Sequence, residues 1–147
     1  MRFEHAVHID APAEVVWRLT ADVARWPAFL PTVQQVRRLD DAPLGVGSSA
    51  RLKQPAQPPA VWTVTALEPQ RAFSWRTTRF GLDMTASHLV EPDGAGCRNT
   101  VAIDVAGRGS RLFGVLFGGP LRKALRDENA GFKAEAERLA GDEHHRR

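Results

Sequence analysis

Two histidines stand on stretches that otherwise alternate apolar and polar residues. His88 lies at two-residue spacing from Met84 and Val90 along one face, and His5 has the same relation to Val7. An imidazole titrates near neutrality, so inside a cavity it could orient a ligand or move a proton. The alternative is that each histidine is a hydrogen-bonded core residue or lies at a wet strand end.

Asn129 is the third polar residue on an apolar face. It shares a helical stripe with Leu125 and Phe132. Its amide could donate to a ligand carbonyl or to an oxyanion, with His88 as the base of the same site. The alternative is again a buried polar group that is satisfied by other protein groups. We expect His88 and Asn129 to face a common cavity.

Recognisable catalytic and metal motifs are missing from the sequence. It contains no HExxH, CxxC, P-loop, GxSxG or GxGxxG pattern. His144 and His145 lie near the C-terminus, where they are poorly placed to hold a metal rigidly. We therefore predict no metal site and no cofactor.

Large apolar side chains supply the other candidate positions. Trp62 and Trp75 fall on central strands, where they form either cavity walls or ordinary core, and Met84 and Phe132 lie on the same apolar faces as His88 and Asn129. The segment 112–117 is rich in Leu and Phe. It is interpreted as a cavity lid, as a patch for membrane or partner contact, or as ordinary helix packing.

Composition limits the class of protein. A chain of 147 residues with 43% hydrophobic and 25% charged residues is typical of one globular domain. The net charge is +3, but arginines are interleaved with acids and no nucleic-acid module is present, so no nucleic-acid partner is expected. Cys97 is the only cysteine, which favours a reducing, cytoplasmic location.

Periodicity and turn chemistry predict an α+β order of elements. A strand at 3–9 is followed by two short helices, the first starting near Pro12 and the second ending at Pro27. Hairpin-spaced strands are predicted at 33–39, 48–54, 60–67, 72–78, 82–91 and 97–106. A helical period covers 110–140, and Gly118-Gly119-Pro120 is expected to bend or break it. Residues 1–140 form the single domain, and 141–147 are predicted to be a flexible tail.

Several motifs in this order resemble one superfamily. They are Ile9-x-Ala11-Pro12-x-x-Val15-x-Trp17, Asp22-x-x-x-Trp26-Pro27-x-Phe29, Gly45-x-Gly47-Ser48, Trp62-x-Val64 with Glu68-Pro69-x-Arg71-x-Phe73-x-Trp75, and His88-x-Val90-Glu91-Pro92. The chain is similar over its whole length to START-like (helix-grip, SRPBCC) proteins of the polyketide cyclase/dehydrase and lipid-transport family. The resemblance implies a curved antiparallel sheet of six to seven strands around a long C-terminal helix, with an apolar cavity between them.

The resemblance leaves three functions open, since one fold hosts many of them. The first is a binder of an apolar small molecule such as a lipid, a quinone or a polyketide-like ring system, with transient contact to a membrane surface. The second is a polyketide cyclase or dehydratase with His88 as acid or base, and the third is a protein-interaction module. The sequence does not fix an oligomeric state. The expected ligand-binding residues are His88, Asn129, Trp62, Trp75, Met84, Phe132 and His5.

Overall fold

Seven antiparallel strands form one sheet in the order β1-β7-β6-β5-β4-β3-β2. The computed structural model describes residues 1–145. The strands are Arg2–Ile9 (β1), Gln35–Arg38 (β2), Ser49–Lys53 (β3), Ala60–Glu68 (β4), Ala72–Arg79 (β5), Leu82–Asp93 (β6) and Gly96–Ala106 (β7). The helices are Ala13–Ala21 (α1), a 3₁₀ helix at Val23–Ala28, and Ser110–His145 (α2). The α+β helix-grip architecture expected from the sequence is confirmed.

Strand register places the candidate residues of β6 on the inner face of the sheet. His88 lies directly opposite Phe73 of β5 and Val101 of β7. Alternate residues of β6 are buried, among them Met84, His88 and Val90. The two-residue period read from the sequence therefore corresponds to a real inner face.

The short N-terminal helices close one end of the sheet. The side chain of Trp26 is 2% exposed, and its indole Nε1 donates a hydrogen bond to the carbonyl oxygen of Leu19 at 3.1 Å. The 3₁₀ helix continues through Pro27 to Ala28 instead of ending at Pro27. The residue after this helix, Phe29, donates its N–H to the carbonyl of Trp26, so the turn is closed in spite of the proline.

The C-terminal helix α2 is continuous from Ser110 to His145, and the expected break at Gly118-Gly119-Pro120 does not occur. Gly119, the residue directly before the proline, has no Cβ for the proline ring to crowd. Gly118 also lies against the ring of Phe3 in β1, where an added Cβ would stand 3.3 Å from Phe3 Cε1. Packing on β1 thus supports the helix across the proline.

The C-terminal residues are helical over most of the expected tail. Helix α2 includes residues 141–145, while residues 146–147 lie outside the described part of the chain. The side chains of His144 and His145 also lie outside it. No helix within residues 1–145 is long and apolar enough to cross a bilayer.

Gly131 sets how closely α2 approaches the N-terminal segment. A Cβ at this position would stand 2.6 Å from the carbonyl oxygen of Phe29 and 2.8 Å from Leu30 Cδ2. The nearer atom is backbone, which cannot move aside by changing a rotamer. The absence of a side chain at Gly131 is therefore required for this packing.

We predict that Gly131→Ala destabilises the protein by about 1–3 kcal/mol, the usual penalty of overpacking, although alanine is the better helix former. Gly141→Ala in the same helix is the matched control, because no atom lies within 4 Å of its added Cβ. Denaturant unfolding of both variants makes the comparison. Equal stability of the two variants would contradict the close contact.

Candidate functional site

A cavity of about 740 Å³ lies between the sheet and the first half of α2. Its walls include Trp62, Trp75 and Met84 from the strands and Leu121 and Leu125 from the helix. The volume is in the range of about 300–1,000 Å³ that is typical of small-molecule sites. Most of the wall is apolar, so the few polar groups on it decide which ligand atoms can be accommodated.

His88 and Glu128 form the central polar pair of this wall. Nε2 of His88 lies 3.6 Å from Oε1 of Glu128, and the two side chains are only 3% and 15% exposed. His88 comes from β6 and Glu128 from α2, so the pair spans the gap between sheet and helix. Both residues line the cavity.

Aromatic rings hold the His88 imidazole in place. The ring of Phe73 is stacked on it, with centroids 4.9 Å apart and planes 9° apart, and Trp26 lies 5.2 Å away. Nδ1 of His88 is buried and has no hydrogen-bond partner among residues 1–145. The edge of the ring that carries Nε2 is the one directed toward Glu128.

Burial controls the protonation of both groups. It lowers the pKa of His88 from 6.5 to about 3, because the charged imidazolium would lose its hydration in this site. It raises the pKa of Glu128 from 4.5 to about 7 for the same reason. At neutral pH the imidazole is therefore uncharged, and a large fraction of the carboxyl groups carries a proton. An uncharged imidazole thus stands beside a partly protonated carboxyl group.

Sequence reasoning missed Glu128, although a signal for it was present. Glu128 is three residues after Leu125 and seven after Leu121, which places it on the buried stripe of the helix. The sequence pattern instead predicts that its neighbour Asn129 faces the cavity. Only the crossing of α2 over the sheet decides which of the two adjacent side chains enters the cavity.

Asn129 is buried but lies outside the cavity, so the prediction that it faces the ligand space is corrected. Its Nδ2 donates to Nδ1 of His5 at 2.8 Å and to the carbonyl oxygen of His5 at 3.0 Å. Its Oδ1 accepts a hydrogen bond from Nδ2 of Asn99 at 2.8 Å. This network ties α2 to β1 and β7, which is the structural alternative for Asn129 and His5.

The other predicted ligand-binding residues are also divided between the cavity wall and the core behind it. Trp62, Trp75 and Met84 lie on the cavity wall, as expected. Phe132 is fully buried and does not line the cavity; its ring packs edge-on against His88, with centroids 5.9 Å apart. Phe132 thus packs against the imidazole from the core and does not contact the cavity.

We predict that Asn129→Leu lowers the free energy of unfolding by about 1–3 kcal/mol, because it leaves the buried amide of Asn99 without its acceptor. Ligand affinity should stay unchanged, since Asn129 does not contact the cavity. Denaturant unfolding and ligand titration of the same variant separate the two effects. Normal stability with weakened binding would restore the expectation from sequence.

We predict that Glu128→Gln stabilises the protein at neutral and alkaline pH. Between pH 4.5 and about 7 the folded state binds more protons at Glu128 than the unfolded state, so the contribution of this group to stability falls as pH rises. The pKa shift corresponds to roughly 3 kcal/mol at full ionisation. The advantage of the glutamine variant should grow across this window and vanish in acid.

Unfolding curves of wild type and Glu128→Gln at several pH values measure this difference, with Glu14→Gln on the exposed side of α1 as the control. A glutamine variant that is less stable than wild type at neutral pH would mean that an ionised Glu128 is paired with a charged His88.

Comparisons with known proteins agree with this geometry. The Zhui aromatase/cyclase from a Streptomyces species superposes with a TM-score of 0.75 at 22% identity, over 94% of each chain. A START superfamily protein from Mycobacterium smegmatis gives a TM-score of 0.73 at 16% identity, over 94% of this chain and 98% of its own. Ginseng major latex-like protein 151 from Panax ginseng gives a TM-score of 0.73 at 13% identity, over 92% of this chain and 97% of its own. These likenesses show the fold.

A search of curated proteins finds no match to the sequence. The sequence profile described as polyketide cyclase/dehydrase and lipid transport matches residues 1–140, which is nearly the full chain. Fold, cavity and profile agree, and the chain belongs to the polyketide cyclase/dehydrase and lipid-transport family.

Proposed function

We propose that the protein is an acid–base catalyst that cyclises or dehydrates an apolar small molecule bearing carbonyl and hydroxyl groups. The observation that carries this proposal is the His88–Glu128 pair, 3.6 Å apart on the wall of a cavity of about 740 Å³. A binder of a ligand without polar atoms gains nothing from burying two ionisable groups side by side, because their desolvation is unfavourable.

The pair can complete a proton cycle for loss of water from a β-hydroxy carbonyl compound. Nε2 of uncharged His88 takes the proton from the carbon next to the carbonyl, and the electron pair of that C–H bond forms the new double bond. The protonated Glu128 gives its proton to the departing hydroxyl, which leaves as water. The proton on His88 then returns to Glu128 across the 3.6 Å gap, and both groups regain their starting forms.

The walls favour a ring-forming, largely apolar substrate. Trp62 and Trp75 are tilted aromatic neighbours with centroids 6.1 Å apart, and Met84 adds a polarisable side chain beside them. A flexible chain folded against such walls would bring its carbonyl groups near the polar pair, which raises the effective concentration of the reacting atoms. The aromatase/cyclase among the structural neighbours supports this substrate class by analogy only.

Binding and transport of an apolar ligand is the second candidate, and the same cavity favours it. A carrier would need the apolar walls but no turnover, so Glu128 would then orient a ligand oxygen by a hydrogen bond. The third alternative, a protein-interaction module, stays a prediction. The cytoplasmic location inferred from Cys97 stays a prediction.

The test uses the aldol adduct of benzaldehyde and acetone, whose dehydration to the conjugated enone is followed by ultraviolet absorption. We predict that wild-type protein accelerates this reaction and that His88→Ala and Glu128→Gln each lower the rate by about 10²–10⁴-fold. The rate should also fall above about pH 7, as Glu128 loses its proton.

Asp127→Asn is the matched control, because this neighbouring carboxylate pairs with Lys123 and is not part of the cavity wall. Its rate should equal that of wild type. Binding of the adduct without turnover would favour the carrier. Turnover that survives in both His88→Ala and Glu128→Gln would refute the proposed chemistry.

A further inference from the structure

A set of large apolar side chains surrounds the mouth of the cavity without being covered. Leu112 and Leu116 are 62% and 61% exposed, Phe117 is 49% exposed, and Val115 on the same helix is 81% exposed. Leu112, Leu116 and Phe117 also line the cavity, whereas Val115 does not. Side chains that both line a cavity and face solvent mark its opening. We call Phe80, Leu112, Val115, Leu116 and Phe117 the entrance patch.

Phe80 completes this patch from the sheet side. It forms the two-residue turn between β5 and β6 together with Gly81, and both residues have positive φ angles, 54° and 73°. Such a turn normally carries Asn or Gly at this position, and a phenylalanine is strained there. Its side chain is 84% exposed, so packing in the fold does not explain its presence. The neighbouring Gly107 lies against Gly81, where an added Cβ would be 2.9 Å from the carbonyl oxygen of Gly81.

Basic residues flank the helical part of the entrance patch in the sequence. No Asp or Glu occurs between Asp104 and Asp127, while this segment contains five basic residues: Arg108, Arg111, Arg122, Lys123 and Arg126. All five are exposed. Within residues 1–145, only Lys123 of the five has a carboxylate partner, Asp127. The segment 105–126, which carries most of the entrance patch, therefore has a net positive charge.

We propose that the entrance patch docks on an anionic lipid surface, with the apolar side chains in the headgroup boundary and the arginines against lipid phosphates. A helix that exposes Leu, Val and Phe beside basic residues has the composition of an interfacial helix. The positive charge beside the patch is complementary to lipid phosphates and repels a second copy of the same basic face. The mouth would then open toward the bilayer, so an apolar ligand could pass between lipid and cavity without crossing water.

This inference is independent of the acid–base chemistry and concerns only how a ligand reaches the cavity. Its test is flotation of the purified protein with phosphatidylcholine vesicles, with and without phosphatidylglycerol. Wild-type protein should float with the vesicles that contain phosphatidylglycerol and remain below with the neutral ones. Binding should weaken with added salt, because the arginine contribution is screened.

The variants separate the apolar and the charged parts of the surface. Val115→Asp should weaken vesicle binding about tenfold or more, since it brings a negative charge to the lipid surface. Arg108→Ala and Arg111→Ala should each weaken it about fivefold, from roughly 1 kcal/mol per basic residue near an anionic surface. Val46→Asp is the matched control, because Val46 is 70% exposed in the connection between β2 and β3.

Each outcome decides the proposal. Vesicle binding that is absent, indifferent to phosphatidylglycerol or unchanged in Val115→Asp would overturn it. Failure to bind vesicles together with a dimer that Val115→Asp dissociates would assign the patch to self-association. His88→Ala and Glu128→Gln should bind vesicles like wild type, and Val115→Asp should dehydrate the soluble adduct like wild type. Failure of the docking proposal and failure of the proposed catalysis are thus distinguishable.

Discussion

The inner face of the sheet is larger than the single long helix can cover. Helix α2 packs against β1, β7 and α1, where Phe3, Leu125 and the Asn99–Asn129 network fix its position. Helix α2 does not pack closely on the central strands β3, β4 and β5. Because the middle of the sheet carries Trp62, Trp75 and Met84 inward, the uncovered face becomes an apolar cavity instead of a solid core. Because α2 is fixed over β1 and β7, the ligand space lies over the central strands of the same inner face.

The same docking brings an ionisable residue to the edge of that space. Glu128 and Asn129 are adjacent on α2, yet one faces the cavity and the other the β1–β7 side. The asparagine is fully hydrogen-bonded and stabilises the helix position, whereas the carboxyl group has no such set of partners and shifts its pKa upward. Burial of an ionisable group lowers the stability of the fold, and a buried group whose pKa lies near 7 is a feature of functional sites. The structural role of Asn129 and the proposed chemical role of Glu128 thus fall on two neighbouring positions.

Much of the fold could be predicted from local patterns, because alternation and helical period report directly which face of an element is buried. Alternation correctly predicts that His88 lies on the buried face of its strand, and the helical period correctly predicts that Leu125 and Phe132 lie on the buried stripe of α2. The patterns do not report how two elements cross. The sequence therefore predicts Asn129 and Phe132 in the cavity although they lie behind it, and it does not single out Glu128, which lines the cavity. The break expected at Pro120 failed for a related reason, since contact with Phe3 is a tertiary effect.

The mouth of the cavity follows from the same geometry. Helix α2 begins at Ser110, directly after the Gly107–Gly109 connection from β7. In its first turns Leu112 and Leu116 line the cavity and yet remain largely exposed. A fold that only needed stability would place polar residues there. Packing of the domain does not account for the leucine and phenylalanine side chains at this position, beside a strained and exposed Phe80. Passage of an apolar ligand through the mouth, or contact of the mouth with a lipid surface, does account for them.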